Sequence, residues 1–285
     1  MALFKRQRDS SASVPIIGVV RFSVLMEEPA EFRVSKRTTF EERRTELFDP
    51  ARLEDRFRIF EAVTLASALA QTDSDWTMLV IGSSEMPEPF RTRLRDLLAP
   101  HANVALAEMA PEQSLPDFVR TEIDRLHTGA ARRAVFRLDD DDGLSRRFVA
   151  HLRQVITRWD KGDNIAFSFP FGHLIGVTGT SGQLLFRKVH HSFGIACGLT
   201  LLTDRGFAHG PFNLGVQHRM TDRLLPTVCE TDGPAYVLIS HGSNDTGENS
   251  VRWRQLRQGN PVTPDAVRRE LGRDFAHLDL DALAH

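Results

Sequence analysis

The feature that most constrains this chain is an apolar, strand-like segment, Ala134-Val-Phe-Arg-Leu138, that runs straight into four consecutive aspartates, Asp139 to Asp142. Four adjacent carboxylates repel one another and cannot enter a core without a cation or hydrogen-bond donors. The strand must stop at the acids, and a helical period resumes beyond them at 144–156. The preceding chain alternates in the same way. Strands are expected at 16–25, 76–81, 103–107 and 134–138, and helices at 52–71, 89–98 and 116–126. Leu53, Phe57, Phe60, Val63 and Ala66, three or four apart, mark the buried stripe of the first helix. Short strand–helix alternation predicts parallel crossovers, and a parallel sheet keeps its ligand crevice beyond the carboxyl ends of its strands. The acids fall at that place.

Beyond residue 160 the pattern changes. Short strand-like pieces occupy 164–169, 174–177, 183–189, 199–202 and 236–240, with a hairpin turn expected at 179–182. The stretch 211–220 reads equally as loop or short helix, and the polar stretch 27–50 as a long loop with a little helix. Thr263 is placed to cap a helix whose first residue is Pro264. The expected organisation is a loose lead-in at 1–13, an α/β half at 14–160 and a second half at 161–285 within the same compact domain.

Charge excludes one class of partner. Lys plus Arg number 36 against 38 Asp plus Glu, a net charge of −2, so the chain is not built to hold nucleic acid by counterion release. Its two cysteines, Cys197 and Cys229, are too few for a disulfide framework or a thiolate zinc cluster, which points to a reducing, cytoplasmic setting. The apolar run after the basic start is broken by Pro15 and Gly18, unlike a signal peptide, and no run approaches the ~20 residues of a membrane span. The basic start is a weak anchor, so any membrane association is peripheral, at the inner face.

In an extended segment Asp139 shares a face with Asp141, and Asp140 with Asp142. Either pair suits a hard divalent ion such as magnesium or manganese, which leaves positions open for phosphate oxygens and offsets charge on a departing diphosphate. The competing reading is a solvated acidic turn, because Asp142-Gly143 is a frequent turn pair. A calcium loop of EF-hand type fails, since Leu138 and Val149 would stand at its first and twelfth positions. No GxGxxG follows the first strand, and HExxH, CxxC and GxSxG motifs are absent.

Four strings taken together, Arg21-Phe-Ser, Arg56-Phe-Arg-Ile-Phe-Glu61, Gln71-Thr72 and Arg137-Leu-Asp-Asp-Asp-Asp-Gly143, resemble the rhamnosyltransferase family over about residues 15–255. That family is similar to glycosyltransferases of the nucleotide-diphospho-sugar (GT-A) fold. The resemblance implies an α/β architecture with a mixed central sheet flanked by helices, an N-terminal half for the nucleotide and a C-terminal half for the acceptor. It implies a DxD motif after the fourth strand, with Asp139 facing the ribose and Asp141 holding the metal. Asp142 is the alternative ligand and Asp140 an adjacent nucleotide-side acid. Arg21 is expected at the phosphates, and Arg137 bracing the carboxylates. Relatives often complete the metal shell with a residue of the second half, for which His241 and His218 are the candidates. An inverting transfer needs a carboxylate base, for which Glu230 or Asp232 is favoured over Asp204 and Asp222.

The function implied is a metal-dependent glycosyltransferase (cation Mn2+ or Mg2+). It moves a sugar, rhamnose or another deoxysugar, from a nucleoside-diphosphate donor to a saccharide or lipid-linked saccharide acceptor. The alternatives are a nucleotidyltransferase or sugar-nucleotide pyrophosphorylase, and a non-catalytic saccharide-binding relative. The nucleotidyltransferase usually needs a glycine-rich basic first loop, where this chain has Arg21-Phe-Ser.

Overall fold

The structure, a computed structural model, describes residues 14–27, 39–178, 182–191, 195–242, 254 and 256–284. The expected lead-in at 1–13 and most of the 179–182 turn lie outside these residues. Two sheets organise the rest. The first has seven strands in the order β10-β6-β9-β4-β1-β2-β3. They are β1 (Ile16–Phe22), β2 (Thr77–Ser83), β3 (Val104–Met109), β4 (Arg132–Asp139), β6 (Ile165–Ser168), β9 (Thr200–Asp204) and β10 (Thr227–Cys229). β1 pairs in parallel with both β2 and β4, and β9 runs antiparallel to β4 and β6, so the sheet is mixed. Strands from both sides of residue 160 share it.

β1 alternates between two cores. Ile16, Val20 and Phe22 face one, and Ile17 and Val19 the other. A sheet buried on both faces by crossover helices requires such a continuous apolar strand. Because β1 sits between β2 and β4, the chain leaves it in both directions, which makes the β1–β4 junction the topological switch point.

The second sheet, β5-β11-β7-β8, comprises β5 (Gly143–Leu144), β11 (Tyr236–Ser240), β7 (Phe171–Val177) and β8 (Leu184–His190). Here the helix expected at 144–156 is corrected. It spans Phe148–Trp159 (α6), because Gly143 and Leu144 pair with Val237 and Tyr236 as strand β5. β4 ends at Asp139 and β5 begins at Gly143, so the acids carry the chain from one sheet to the other.

One long helical element braces that crossing. It runs as α2 (Pro50–Ile59), a π-helical turn at Phe60–Leu65 and α3 (Ala66–Leu69). Asp49 caps its start and Pro50 occupies its first turn. Phe57 and Phe60 pack their rings on Phe22 of β1 at 4.7 and 5.1 Å, while Ile59, Ala62 and Val63 join the core under the second sheet. A single helix thus touches both cores. The polar stretch before it contains α1 (Phe40–Leu47), capped by Thr39. The helices α4 (Phe90–Leu98) and α5 (Leu115–Leu126) stand close to their expected positions. The 211–220 stretch resolves into irregular backbone and the start of a 3-10 helix, His218–Arg223. Pro264–Leu271 is helical, with the Thr263 side chain accepting from the Ala266 N–H. It packs Val267 and Leu271 under the second sheet.

Candidate active site

The acids stand at the seam between the sheets, and each has its own counterpart. Asp139 ends β4 beside Arg21, its register partner on β1. Arg137, two residues earlier and on the same face, donates to Asp139 Oδ1 from Nε at 2.9 Å and Nη2 at 2.8 Å. Burial opposes charge on Asp139, yet Arg137 and Arg21 outweigh it and hold the carboxyl below the usual carboxylate range. Burial likewise opposes charge on Arg137, and Asp139 reverses this and raises the guanidinium above its ordinary value. The ring of Phe212 lies under both guanidiniums, at 5.1 Å from Arg21 and 5.6 Å from Arg137. Two cations and one partly exposed acid therefore converge at the switch point.

Asp140 turns the other way, toward α2. Arg56 grips it with two nitrogens, Nε to Oδ2 at 3.2 Å and Nη2 to Oδ1. The third nitrogen, Nη1, reaches Asp141 Oδ2 at 3.3 Å. All three side chains are buried. Asp141 Oδ2 also lies 3.2 Å from His241 Nε2, while His241 Nδ1 lies 3.9 Å from Asp55 Oδ2. β11 explains this meeting of residues a hundred positions apart. It runs antiparallel to β5, so its continuation past Ser240 follows the chain back along the acid turn.

Asp142 faces the second sheet. Its Oδ1 accepts the Ile239 N–H at 3.1 Å, and only 1% of the residue is exposed. Thr64, on the π-helical turn, donates to the Asp142 carbonyl at 2.9 Å. Gln71 then fixes the chain between β5 and α6, donating to the carbonyls of Ser67 and Ser145 and accepting the Val149 N–H.

Of the residues expected at the site, the structure brings together Arg21, Arg137 and Asp139, and next to them Asp140, Asp141 and His241. Asp142 is committed to a backbone N–H of β11. His218 is exposed at the start of its 3-10 helix. Among the described residues no three or more His, Cys, Asp or Glu side chains form a metal-holding group, so His218 does not join the acids in one. Glu230 and Asp232 follow β10 at the same carboxyl edge, but β6 and β9 separate β10 from β4, roughly 14 Å at ordinary strand spacing. Glu230 lies 3.9 Å from both His151 and Arg158 of α6, and Asp232 is exposed.

Sequence reasoning did not assign Arg56, Asp55, Thr64 or Phe212. Arg56 carried a signal. It falls three residues after Leu53 and four before Phe60, on the apolar stripe, and a charge placed there must meet an opposite one. Phe212 carried none, since its role depends on a loop returning over β1.

A divalent ion bound with a diphosphate takes only one or two protein ligands and the rest from phosphate and water. Asp141 Oδ2 and His241 Nε2 stand near the roughly 3 Å that separates adjacent ligands of a six-coordinate ion. Asp55 Oδ2 stands on the side of the far imidazole nitrogen, at 3.9 Å and beyond hydrogen-bond reach. The Asp141 carboxylate suits a phosphate-bound magnesium or manganese ion, and the His241 imidazole, a borderline donor, suits manganese better than magnesium.

The fold and site define an α/β protein with an Arg–Asp–Arg cluster at its switch point and an acidic crossing between two sheets. A family model described as "Putative rhamnosyl transferase" matches residues 15–253, and the chain belongs to that family. No curated protein matches it. Among solved structures it is similar to S. aureus TarS at 9% identity and a TM-score of 0.43, over 79% of this chain and 37% of that one. TarS 1-349 gives 9% and 0.43 over 79% and 60%. The same segment in complex with UDP gives 8% and 0.45 over 80% and 61%. The chain thus spans less than two thirds of each of these structures.

Proposed function

We propose that this protein is a GT-A-like glycosyltransferase that transfers a sugar, rhamnose or another deoxysugar, from a nucleoside diphosphate to a saccharide or lipid-linked acceptor. The observation that carries the reading is the convergence of Arg21, Arg137 and Asp139 at the carboxyl ends of β1 and β4. Guanidiniums at this position bind phosphate oxygens bidentately, and an ionised Asp139 accepts ribose hydroxyls. Asp141 and His241 would hold a divalent cation, manganese or magnesium, which when bound offsets charge on the leaving diphosphate. Arg137 and Arg21 share that task, since their charge is fixed in place before the donor arrives.

On the acceptor side, Glu230 or Asp232 takes the proton of the attacking hydroxyl. Glu230 is the better placed, because its side chain is 15% exposed and lies between His151 and Arg158 at the carboxyl edge. A cytoplasmic setting is supported by Cys197 and Cys229, neither of which is disulfide-bonded. No helix of the described residues is long and apolar enough to cross a membrane, and contact with its inner face would be peripheral.

Calorimetric titration with UDP-, GDP- and dTDP-sugars, with and without manganese, tests the reading. One donor class should bind in a manganese-dependent way, and Asp141→Ala should abolish that dependence. Absence of binding by all three, or binding indifferent to manganese, overturns it.

A further inference from the structure

Arg56 presents all three guanidinium nitrogens to two acids and divides them unequally. Two nitrogens embrace Asp140, whereas Nη1 reaches Asp141 at 3.3 Å, longer than an ordinary charge-assisted hydrogen bond. The trio is deeply set. Arg56 and Asp141 are each 8% exposed, and Asp140 is 4% exposed. Two carboxylates this buried and this close cannot both stay ionised without a nearby positive charge. Asp141 is also the acid that His241 meets, and so the one turned to the cation in the function proposed above, on which this inference rests.

We infer that Arg56 is a positioning residue that serves as the resident counter-ion of the site. It locks Asp140 permanently and lends Asp141 a weaker, replaceable partner. A free divalent cation must then compete with a charge already in place, and gains little by binding alone. A diphosphate in the crevice adds negative charge that Arg56 does not cover, so the cation binds well only with the nucleotide. Arg56 thereby keeps the metal-alone affinity low, so that the attraction between cation and diphosphate decides whether the site fills. Coupling of this kind is reciprocal, and the nucleotide gains from the cation by the same factor. The π-helical turn serves the same end, because Thr64 upon it fixes the Asp142 carbonyl and holds the acid turn against α2.

The experiment is manganese binding followed by electron paramagnetic resonance, first with the metal alone and then with UDP, GDP or dTDP present. Arg56→Gln removes the resident charge, and manganese alone should then bind about tenfold or more tightly than to the unaltered protein. Adding Asp141→Ala to that variant should abolish the gain. A misfolded protein would not produce a gain of affinity that depends on Asp141. Asp140→Asn acts in the opposite sense, since it releases the whole of Arg56 to Asp141 and should weaken manganese binding. It keeps the inference testable if Arg56→Gln fails to fold. Unchanged or weaker manganese binding in folded Arg56→Gln, a gain that survives loss of Asp141, or tighter binding in Asp140→Asn overturns the inference. The metal-alone arms need no nucleotide, so their failure is distinguishable from failure of the donor titrations.

Discussion

Asp142 Oδ1 accepts the backbone N–H of Ile239 at 3.1 Å, so the last acid of the run ties the acid turn to β11 of the second sheet. This separates structural from ligand-facing acids within four consecutive residues. Asp142→Ala leaves that N–H unpaired in the interior and should cost about 2–3 kcal/mol of stability. Asp142→Asn keeps an acceptor oxygen and should cost less. In chemical denaturation both variants should shift the midpoint, while nucleotide affinity of the folded fraction stays near that of the unaltered protein. Loss of manganese-dependent binding in folded Asp142→Asn would instead make Asp142 the ligand.

Arg137 is held by Asp139 and lies over Phe212, so its charge is oriented before any ligand arrives. Arg137→Met should weaken binding of UDP, GDP or dTDP, whichever the protein takes, by about tenfold or more. The salt dependence of the remaining binding should flatten, since one phosphate-facing cation is gone. Titrations at two ionic strengths read both effects. An unchanged affinity with an unchanged salt slope would place the diphosphate elsewhere.

Much of this arrangement was legible because charge dictates it. Four adjacent carboxylates enter an interior only where donors meet each of them, so β4 was expected to stop at the acids and ends at Asp139, and the apolar run at 236–240 returned as β11 residue for residue. The pairing of Gly143 and Leu144 with β11 was not legible. Two residues have no period, and their partners lie some ninety positions away. His241 stood out by following an apolar strand. Its meeting with Asp141 depends on how β11 passes β5. Arg56 could have been found by asking what an arginine does on an apolar stripe.

Gln71 is the joint of the site. Its amide donates to two carbonyls and accepts the Val149 N–H, tying α3 to β5 and to the first turn of α6. Gln71→Ala removes three hydrogen bonds from a residue 9% exposed, and should cost about 2–4 kcal/mol. Thermal melts should fall by several degrees or more. Gln71→Glu reverses the donor end and should be nearly as harmful, whereas a simple packing role would tolerate it.

Acid sensitivity should come from His173 on β7. Its ring stacks on Phe186 at 5.5 Å and meets Phe275 edge-on at 5.3 Å, and burial lowers its pKa from 6.5 to about 4, with Lys188 acting in the same direction and Glu270 against it. The unfolded chain takes up a proton near pH 6.5 that the fold refuses until about 4. Stability from this group is therefore complete above the unfolded value and declines as pH falls through that window, by up to about 3 kcal/mol at its lower end. Burial shifts His277 the same way, also to about 4. His173→Phe keeps the ring and removes the titration. Urea midpoints at pH 7 and pH 5 should then differ less in the variant than in the unaltered protein, with a smaller residual slope from His277. An unchanged slope would mean that protonation of His173 is not what weakens the fold in acid.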